Sequence, residues 1–580
     1  KQQSDISAEP GEQSLTGWWL RSQSSFHNGT GIKFYDPSAG ETVAHRFADS
    51  RNVDVWTKGQ ATLLKETASM AGVTSGIYKL ISAMSGTTDV VVGYIPGSTT
   101  IKSFQADGTV VTTYAPTNLG NVLDGAVVTD GTRLFAADND HIYTGPLNAA
   151  ATGWTEYYVT GTRATLAWVK QRLVGAVTNS VYELTGATGS AIALPTPLYT
   201  HPNTAWIWSS ITEGGSAIYA AGYAGGNSAI YKFTLSTAGV MPILTSGVVA
   251  AQLPIGEIVY KIESYLGYML IGTNKGVRAA TISDQDGSII YGPLIIEESN
   301  GVYDFTFRDR FVWVTGSIDG YAGLYRIDLS NEIEPLRFAY ASDAYSTATG
   351  YATSVDFIGN GTQLAFTTSG SNGIYVQSAT VLSTEGYIKT GKIRYGTLEP
   401  KNFKRLIARG NFQAGNLTLA SVATSTSGTE TVFDHISYNV DVNPVEVTTS
   451  SPQTAQEFLA YQFTLTRDTT TTSSGPTFKG YQAKATIATP RRRVIRFPAY
   501  CFDIETDRFN TVVGYEGRAF DRIRLLEQIE QSGDVLTWQD LTTGESQQAV
   551  IEEVTFTRMT PPDRRFDGFG GILQITVRTV

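Results

Sequence analysis

The chain has 580 residues, 41% apolar and 17% charged, and a net charge of −10 at pH 7. That length outgrows one ordinary core, so roughly two to four domains are expected. The acidic balance excludes nucleic acid as the main partner, because a phosphate-binding surface needs a basic face, and the single cysteine, Cys501, excludes an internal disulfide framework and any multi-cysteine zinc site.

Tyr (30) and Phe (25) are abundant and Met (5) is rare, which favours strands over helices. The opening stretch KQQSDISAEPGEQS is polar and contains no signal-peptide h-region. No apolar run approaches the roughly 18 residues that a membrane helix needs, so no membrane insertion is expected. Residues 1–60 are read as an N-terminal assembly segment.

Between residues 61 and 380 a pattern recurs. The apolar runs DVVVGY, LFAAD, LVGAV, IYAAG, MLIGT, VWVTG and LAFTT each lead into a turn of Asn, Asp, Gly and Ser, then Ile, Val or Leu and, usually, Tyr. Such turn residues tolerate the positive φ of tight hairpins. The position after the turn falls at Lys102, Tyr143, Tyr182, Tyr231, Arg278, Tyr325 and Tyr375. Their mean spacing is about 45 residues, and a period of ~40–50 with several short strands per repeat points to a β-propeller. One blade cannot bury both its faces, but a closed ring of blades can. About seven blades are expected, with six or eight left open. ATLLKET (residues 61–67) is expected to be a strand from the N-terminal side that closes the ring. No Trp-Asp or kelch-like signature is present, and SDQDGSII (283–290) resembles a sialidase Asp-box only loosely.

One of these turns, LFAADNDHIYTG, sets Asp138, Asn139, Asp140 and His141 side by side. A calcium loop would need a further acidic position, then Gly and a distant Glu, whereas Ile142 and Tyr143 follow at once. The residues are best read as turn formers.

After residue 380 the period stops. Residues 381–489 read as alternating strands of a β-sandwich, and TPRRRVIRFP marks a boundary. Residues 490–580 read as a small α+β domain. Its helix, in GRAFDRIRLLEQIEQSG, puts Ala519, Ile523, Leu526 and Ile529 on one face and ends at Gly533. A hairpin follows around Thr543 and Gly544. From 491 onward there are twelve Arg, no Lys and fourteen Asp plus Glu. Arg is enriched and Lys depleted at protein interfaces, so Arg491, Arg492, Arg493, Arg496, Arg564 and Arg565 are candidate assembly residues.

Little points to catalysis. The five histidines, His27, His45, His141, His201 and His435, show no metal-ligand spacing, and hydrolase elbows and P-loops are absent. Cys501, flanked by aromatics, reads as a buried structural thiol. Counting eight residues back from the later apolar runs gives Ala126, Thr165, Ser210, Lys261, Asp304 and Asp356. If these mark inner strands, Lys261, Asp304 and Asp356 approach one another near the channel. They would form either a small polar or metal site there or, with more weight, an inter-blade ion pair of Lys261 with Asp304. HPNTAWIW (201–208) would serve packing or, with less weight, sugar stacking.

Two segments resemble a known family. GWWLRSQSSFHNGTGIKFYDPSAGETVAHRFADSRNVDVWTKGQATLLKET (17–67), with its pattern W-R-S-Q, G-x-G, R-F and S-x-x-V-D-x-W-T, is similar to the start of minor tail proteins of long, non-contractile-tailed phages of actinobacteria. GKIRYGTLEPKNFKRL, GPTFKGYQ, CFDIETDRFNTVVGYEG, TWQDLTTGES and TPPDRRFDGFGGILQITVRTV resemble their C-terminal part. Val55 departs from the family pattern at one turn. The resemblance implies a virion structural protein of the tail tip or baseplate, assembled in the host cytoplasm with other tail proteins. No catalytic residues, metal or cofactor are implied, and a homo-oligomer, taken as a trimer, is expected. The alternatives are an adhesin for host cell-wall glycans and a propeller glycosidase or lyase working through Glu263, Asp304 or Asp356.

Overall fold

The computed structural model describes residues 12–15, 18–35, 45–150, 152–185, 190–370, 372–411, 414–425, 427–439, 442–448, 455–487, 493–507, 509, 511–515, 517–541, 544–560 and 568–579. The chain forms two compact units, one of Lys1–Leu398 with Phe403–Thr486 and one of Glu399–Asn402 with Ile487–Val580.

In the first unit, seven sheets of four antiparallel strands, the second with Ile192–Ala193 added in parallel, follow one another along the chain as the blades of a β-propeller. The apolar runs are the second strands: Thr88–Tyr94, Arg133–Ala137, Arg172–Val177, Ala217–Ala224, Tyr268–Thr273, Phe311–Ile318 and Leu364–Thr368. They are buried almost throughout because each lies mid-blade with a neighbouring blade against either face, the environment that selects continuous apolar strands over alternating ones. Lys102, Tyr143, Tyr182, Tyr231, Arg278, Tyr325 and Tyr375 all fall on third strands. The turns are tight: between Tyr265 and Tyr268, Leu266 and Gly267 both have positive φ, as a two-residue type I′ hairpin requires.

The ring closes with Lys65–Ser69, the outer strand of the seventh blade, paired to Ile374–Leu382. The expected closing stretch is therefore divided. Ala61–Leu63 belongs instead to a sandwich sheet, where it pairs with Thr477–Ile487.

The sandwich has two sheets. One runs Glu12–Leu15, Trp18–Gln23, Thr477–Ile487, Lys401–Asn411, Val442–Thr448, with Ala61–Leu63 and Val53–Asp54 attached. The other runs Asp49–Arg51, Glu385–Lys389, Ala460–Thr466, Asn416–Thr424, Glu430–Tyr438. The region 1–60 is thus not a separate segment. Its described strands complete the sandwich, because residues 381–489 alone would leave both sheets with unpaired edges. Phe26, Phe47, Phe403, Leu417, Phe463 and Phe478 fill the core, which also takes in Ala339 and Ala341 of the sixth blade.

Polar groups fix this core. Arg21 is fully buried with its guanidinium carbon 3.3 Å from the Tyr35 ring centroid. Gln23 Oε1 accepts from the hydroxyls of Tyr35 (3.1 Å) and Tyr481 (3.3 Å), and Gln23 Nε2 donates to the Arg46 carbonyl at 3.0 Å. At the junction with blade six, Thr30 N donates to the Tyr340 carbonyl at 2.8 Å. Buried Arg326 pairs with Asp343 and, at 3.1 Å, with Asp54, and Asp343 also accepts from Trp313 Nε1 at 2.8 Å.

In the second unit, a sheet ordered Val494–Phe502, Gly570–Thr579, Ser546–Arg558, Leu536–Gln539 carries the helix Ala519–Ser532. Ala519 and Ile523 are buried, with Leu526 and Ile529 partly so. Gly533, at φ 67°, ends the helix in the left-handed conformation that glycine favours. No side chain of residue 518 caps the start. Asp503 does so instead, accepting from Ala519 N at 2.9 Å and Phe569 N at 3.0 Å.

The G-x-G of the N-terminal motif has a steric cause. Gly29 has φ +78°, and a Cβ there would lie 2.4 Å from the Tyr340 carbonyl oxygen. Gly29→Ala should cost well over about 1 kcal/mol, lowering the urea midpoint followed by Trp fluorescence. Gly59→Ala, with φ +81° but nothing within 4 Å of a Cβ, should lower it less.

Candidate functional site

The first strands of the blades, among them Ala164–Val169, Ile207–Gly214, Val259–Tyr265, Phe305–Arg308 and Ala352–Phe357, pack against one another and line the axis. Thr165, Ser210, Lys261 and Asp356 lie on these strands, and Ala126 and Asp304 immediately precede two of them. The structure brings Lys261, Asp304 and Asp356 together with Glu263. Lys261 Nζ is 3.4 Å from Asp304 and 3.5 Å from Glu263.

Most of these groups work as latches between blades. Ser210 Oγ donates to the Ile262 carbonyl and accepts from Ile262 N, at 3.2 and 3.1 Å. Asp304 Oδ2 accepts from Ser354 Oγ at 2.6 Å and Val355 N at 3.2 Å. Asp356 accepts from Ser82 N (2.7 Å), Thr306 Oγ1 (3.0 Å) and Phe357 N (2.8 Å), joining blades six, seven and one. Burial opposes the charge on Lys261, but Glu263, Asp304 and Asp356 outweigh it and raise its pKa above the usual lysine value. Burial likewise raises Glu263, against the pull of Lys261. Burial pushes Asp356 up to about 7, the Ser82 amide opposing and the Asp304 charge adding to it. Lys261 and Glu263 still keep about a third of their side-chain surface (34% and 36%) open to the axial water.

One face of the ring carries features that residue-by-residue reading missed. Tyr260, Tyr303 and Tyr351, from blades five, six and seven, form a stack with ring centroids 4.7 and 5.6 Å apart and planes within 9° and 19°. The available signal was a Tyr recurring at the blade period next to Lys261 and Asp304 and ahead of blade seven's first strand. Beside the stack a cleft of about 920 Å³ opens between blades five and six, bordered by Glu257, Lys275, Arg278, Glu297, Glu298 and Asn300 among others. Arg278 grips Glu257 through Nε and Nη2 at 2.8 and 2.9 Å and donates Nη1 to the Gly292 carbonyl. Buried Glu298 accepts from Asn300 N and Nδ2, both 3.1 Å, and from Ser317 N at 2.8 Å. Glu263, Asp304 and Asp356 do not line this cleft.

The other candidates resolve simply. Asp138 Oδ1 accepts from Asp140 N and His141 N, and Oδ2 from Gly120 N, at 2.7–2.8 Å, so it shapes a turn. His201 stacks on Trp206 at 4.2 Å, and both are buried with Trp208. Cys501 is buried, its thiol directed at the Ala519 carbonyl, and burial raises its pKa. Among the described residues no group of three or more His, Cys, Asp or Glu could hold a metal ion. Of the candidate assembly arginines, Arg493 pairs with Glu545 at 3.3 Å and Arg496 is exposed. Arg491, Arg492, Arg564 and Arg565 lie outside the described residues.

Stability should depend on pH in two opposed limbs. Asp356, raised from 3.8 to about 7, contributes fully below its unfolded value, and the contribution is lost as pH rises through 7. His27 is lowered from 6.5 to about 4 by burial, His45 and Lys58. It contributes fully above 6.5 and loses that contribution as pH falls through 4. Between pH 4 and pH 6.5 the two slopes oppose each other, so the urea midpoint should change little there. Asp356→Asn removes one of the two and should uncover a rise in the midpoint from pH 4 to pH 6.5.

No known protein family matches the chain by sequence, and no curated protein matches it. Among solved structures, the β-propeller domain of Cps50 (Swd1) from Myceliophteria thermophila is similar over 54% of this chain and 100% of its own, at 11% identity and TM-score 0.38. The WD40 β-propeller domain of Doa1 is similar over 55% of this chain and 96% of its own, at 14% identity and TM-score 0.38. The extracellular domain of the hybrid two-component system BT4673 from B. thetaiotaomicron covers 63% of this chain, which spans 44% of it, at 14% identity and TM-score 0.36. The seven sheets themselves establish the propeller.

Proposed function

We propose that this chain is a virion structural protein of a long, non-contractile phage tail, placed at the tail tip or baseplate and assembled there with other tail proteins. One observation carries the reading: the first segment that resembles minor tail proteins and the sandwich part of the second, roughly 415–466 residues apart at their paired strands, fold into each other. Trp18–Gln23 pairs with Thr477–Ile487, from Trp19 opposite Ala485 to Gln23 opposite Tyr481. The motif positions are the ones this union needs. Arg21 and Gln23 hold the sandwich core, Gly29 makes room for blade six, and Asp54 answers its buried Arg326. The resemblance thus follows a physical unit rather than scattered letters.

In this reading the propeller is a rigid body displaying loops, without catalysis, and the second unit docks onto the rest of the tail. Its exposed arginines, Arg493 and Arg496, suit carboxylate partners, and symmetric self-assembly is the default for such parts, a trimer being our choice.

Gold-labelled antibody against the chain should mark one end of the tail in purified particles, and particles that carry none of the chain would overturn the reading. A chain ending at Thr486 should fold its propeller and sandwich but fail to enter tails. Arg496→Glu should lower incorporation by about tenfold if docking loses of order 1.4 kcal/mol, with no change in thermal unfolding.

A further inference from the structure

We infer that the cleft between blades five and six, together with the neighbouring tyrosine stack, binds a neutral saccharide. The inference does not depend on the tail assignment and can stand or fall without it.

The cleft's charges decide what it can hold. Arg278 is neutralised by Glu257 in a two-bond grip, and Glu298 is taken up by Asn300 and Ser317. Those groups form the walls. The charged groups left over are Lys275 and Glu297, both exposed and neither ion-paired among the described residues. They are neighbours across one ladder, since Gly276, next to Lys275, pairs with Glu297. One free cation beside one free carboxylate gives no net field for a polyanion, and it lacks the convergent cations that a phosphate group would need. Leu294 is the one aliphatic side chain on the lining, so a lipid chain or an apolar ligand gains little there.

What the cleft offers is a mixture of donors and acceptors at close range. Lys275 donates, Glu297 accepts, and Ser299 does both. That mixture matches vicinal hydroxyls, each of which is donor and acceptor at once. The volume of about 920 Å³ lies at the upper end of ordinary small-ligand pockets, ~300–1,000 Å³, and suits a short oligosaccharide.

Aromatic surface lies beside these groups. Tyr325 lines the cleft. A Cβ on Gly301 would fall 2.9 Å from Tyr260 Cε2 and 3.4 Å from the Asn274 Cα, so the ring of Tyr260 reaches the cleft's border next to Asn274 and Asn300. Tyr303 and Tyr351 continue the stack from blade to blade. Tyrosine presents an apolar body with a polar tip, which is what the C–H face and hydroxyl edge of a sugar ring require.

The test uses the purified full chain on a printed array of short neutral and N-acetylated oligosaccharides, with sulfated glycans and unrelated peptides as further spots. The best neutral hit is then titrated in solution. Binding to neutral or N-acetylated sugars is expected. Ser299→Trp should abolish it by projecting an indole into the cleft, and Lys275→Ala should weaken it by about tenfold. Both should leave thermal unfolding unchanged, because neither side chain holds another residue. Array signals confined to sulfated glycans and lost with modest salt, signals confined to peptides, an array blank for neutral sugars, or neutral-sugar binding that survives Ser299→Trp would each overturn the inference.

Discussion

The pairing of Lys65–Ser69 with Ile374–Leu382 holds the first unit together. It joins parts of the chain some three hundred residues apart and removes the edges that an open stack of blades would expose. The same stretch of chain, two residues earlier, is a sandwich strand, Ala61–Leu63. The chain enters through the sandwich, supplies the last blade, circles the ring and returns to the sandwich. Local bonds tighten this seam: Ser383 N donates to the Leu64 carbonyl at 2.8 Å, Lys65 Nζ to the Thr380 carbonyl at 2.9 Å, and Arg467 meets Glu66 at 3.1 Å. Closing the ring and completing the sandwich therefore draw on one stretch of chain. Contacts this distant in sequence carry a large loop-closure cost, which the buried cores on both sides must offset.

Blade six fastens the two parts together. Its third and fourth strands, Tyr321–Glu334 and Arg337–Thr349, are longer than those of the other blades and carry Ala339 and Ala341 into the sandwich core. A buried arginine is a poor source of stability, since desolvation offsets much of its attraction. Arg326, however, has carboxylates from both sides, Asp343 from its own blade and Asp54 from the N-terminal segment. Any other register would leave a charge buried without its partner, so the cluster selects one docking among many apolar ones.

The sequence made legible whatever depends on near neighbours. Second strands announce themselves as unbroken apolar runs because both faces are covered, and turns announce themselves through positive φ. The helix face and its terminal Gly533 follow from a period of 3.6. The pairing of Lys261 with Asp304 was within reach because the repeat puts equivalent residues on adjacent inner strands. What escaped is long-range. Nothing local in residues 18–63 says that their partners begin after residue 380. Arg278 stands in the sequence only as the position after a turn, because its partner Glu257 reaches it from a separate loop. The closing strand, Lys65–Ser69, begins four residues after the start of ATLLKET, which contributes to two strands and reads equally well as either.

The axis and the cleft show how buried polarity divides into structure and opportunity. At the axis the two aspartates are answered by neighbouring blades: Asp304 by Ser354 and Lys261, Asp356 by Ser82 and Thr306. Those bonds replace water and fix the angle between blades, and a ligand would have to break them to bind. In the cleft the deep charges are answered in the same way, by Glu257 for Arg278 and by Asn300 and Ser317 for Glu298, and this holds the walls rigid. The outer layer, Lys275, Glu297 and Ser299, is left to solvent. A ligand there exchanges water for protein at no cost to the fold. Within the one ring, satisfied polar groups mark where the molecule is held in shape, and unsatisfied groups on a rigid backing mark where it is free to bind.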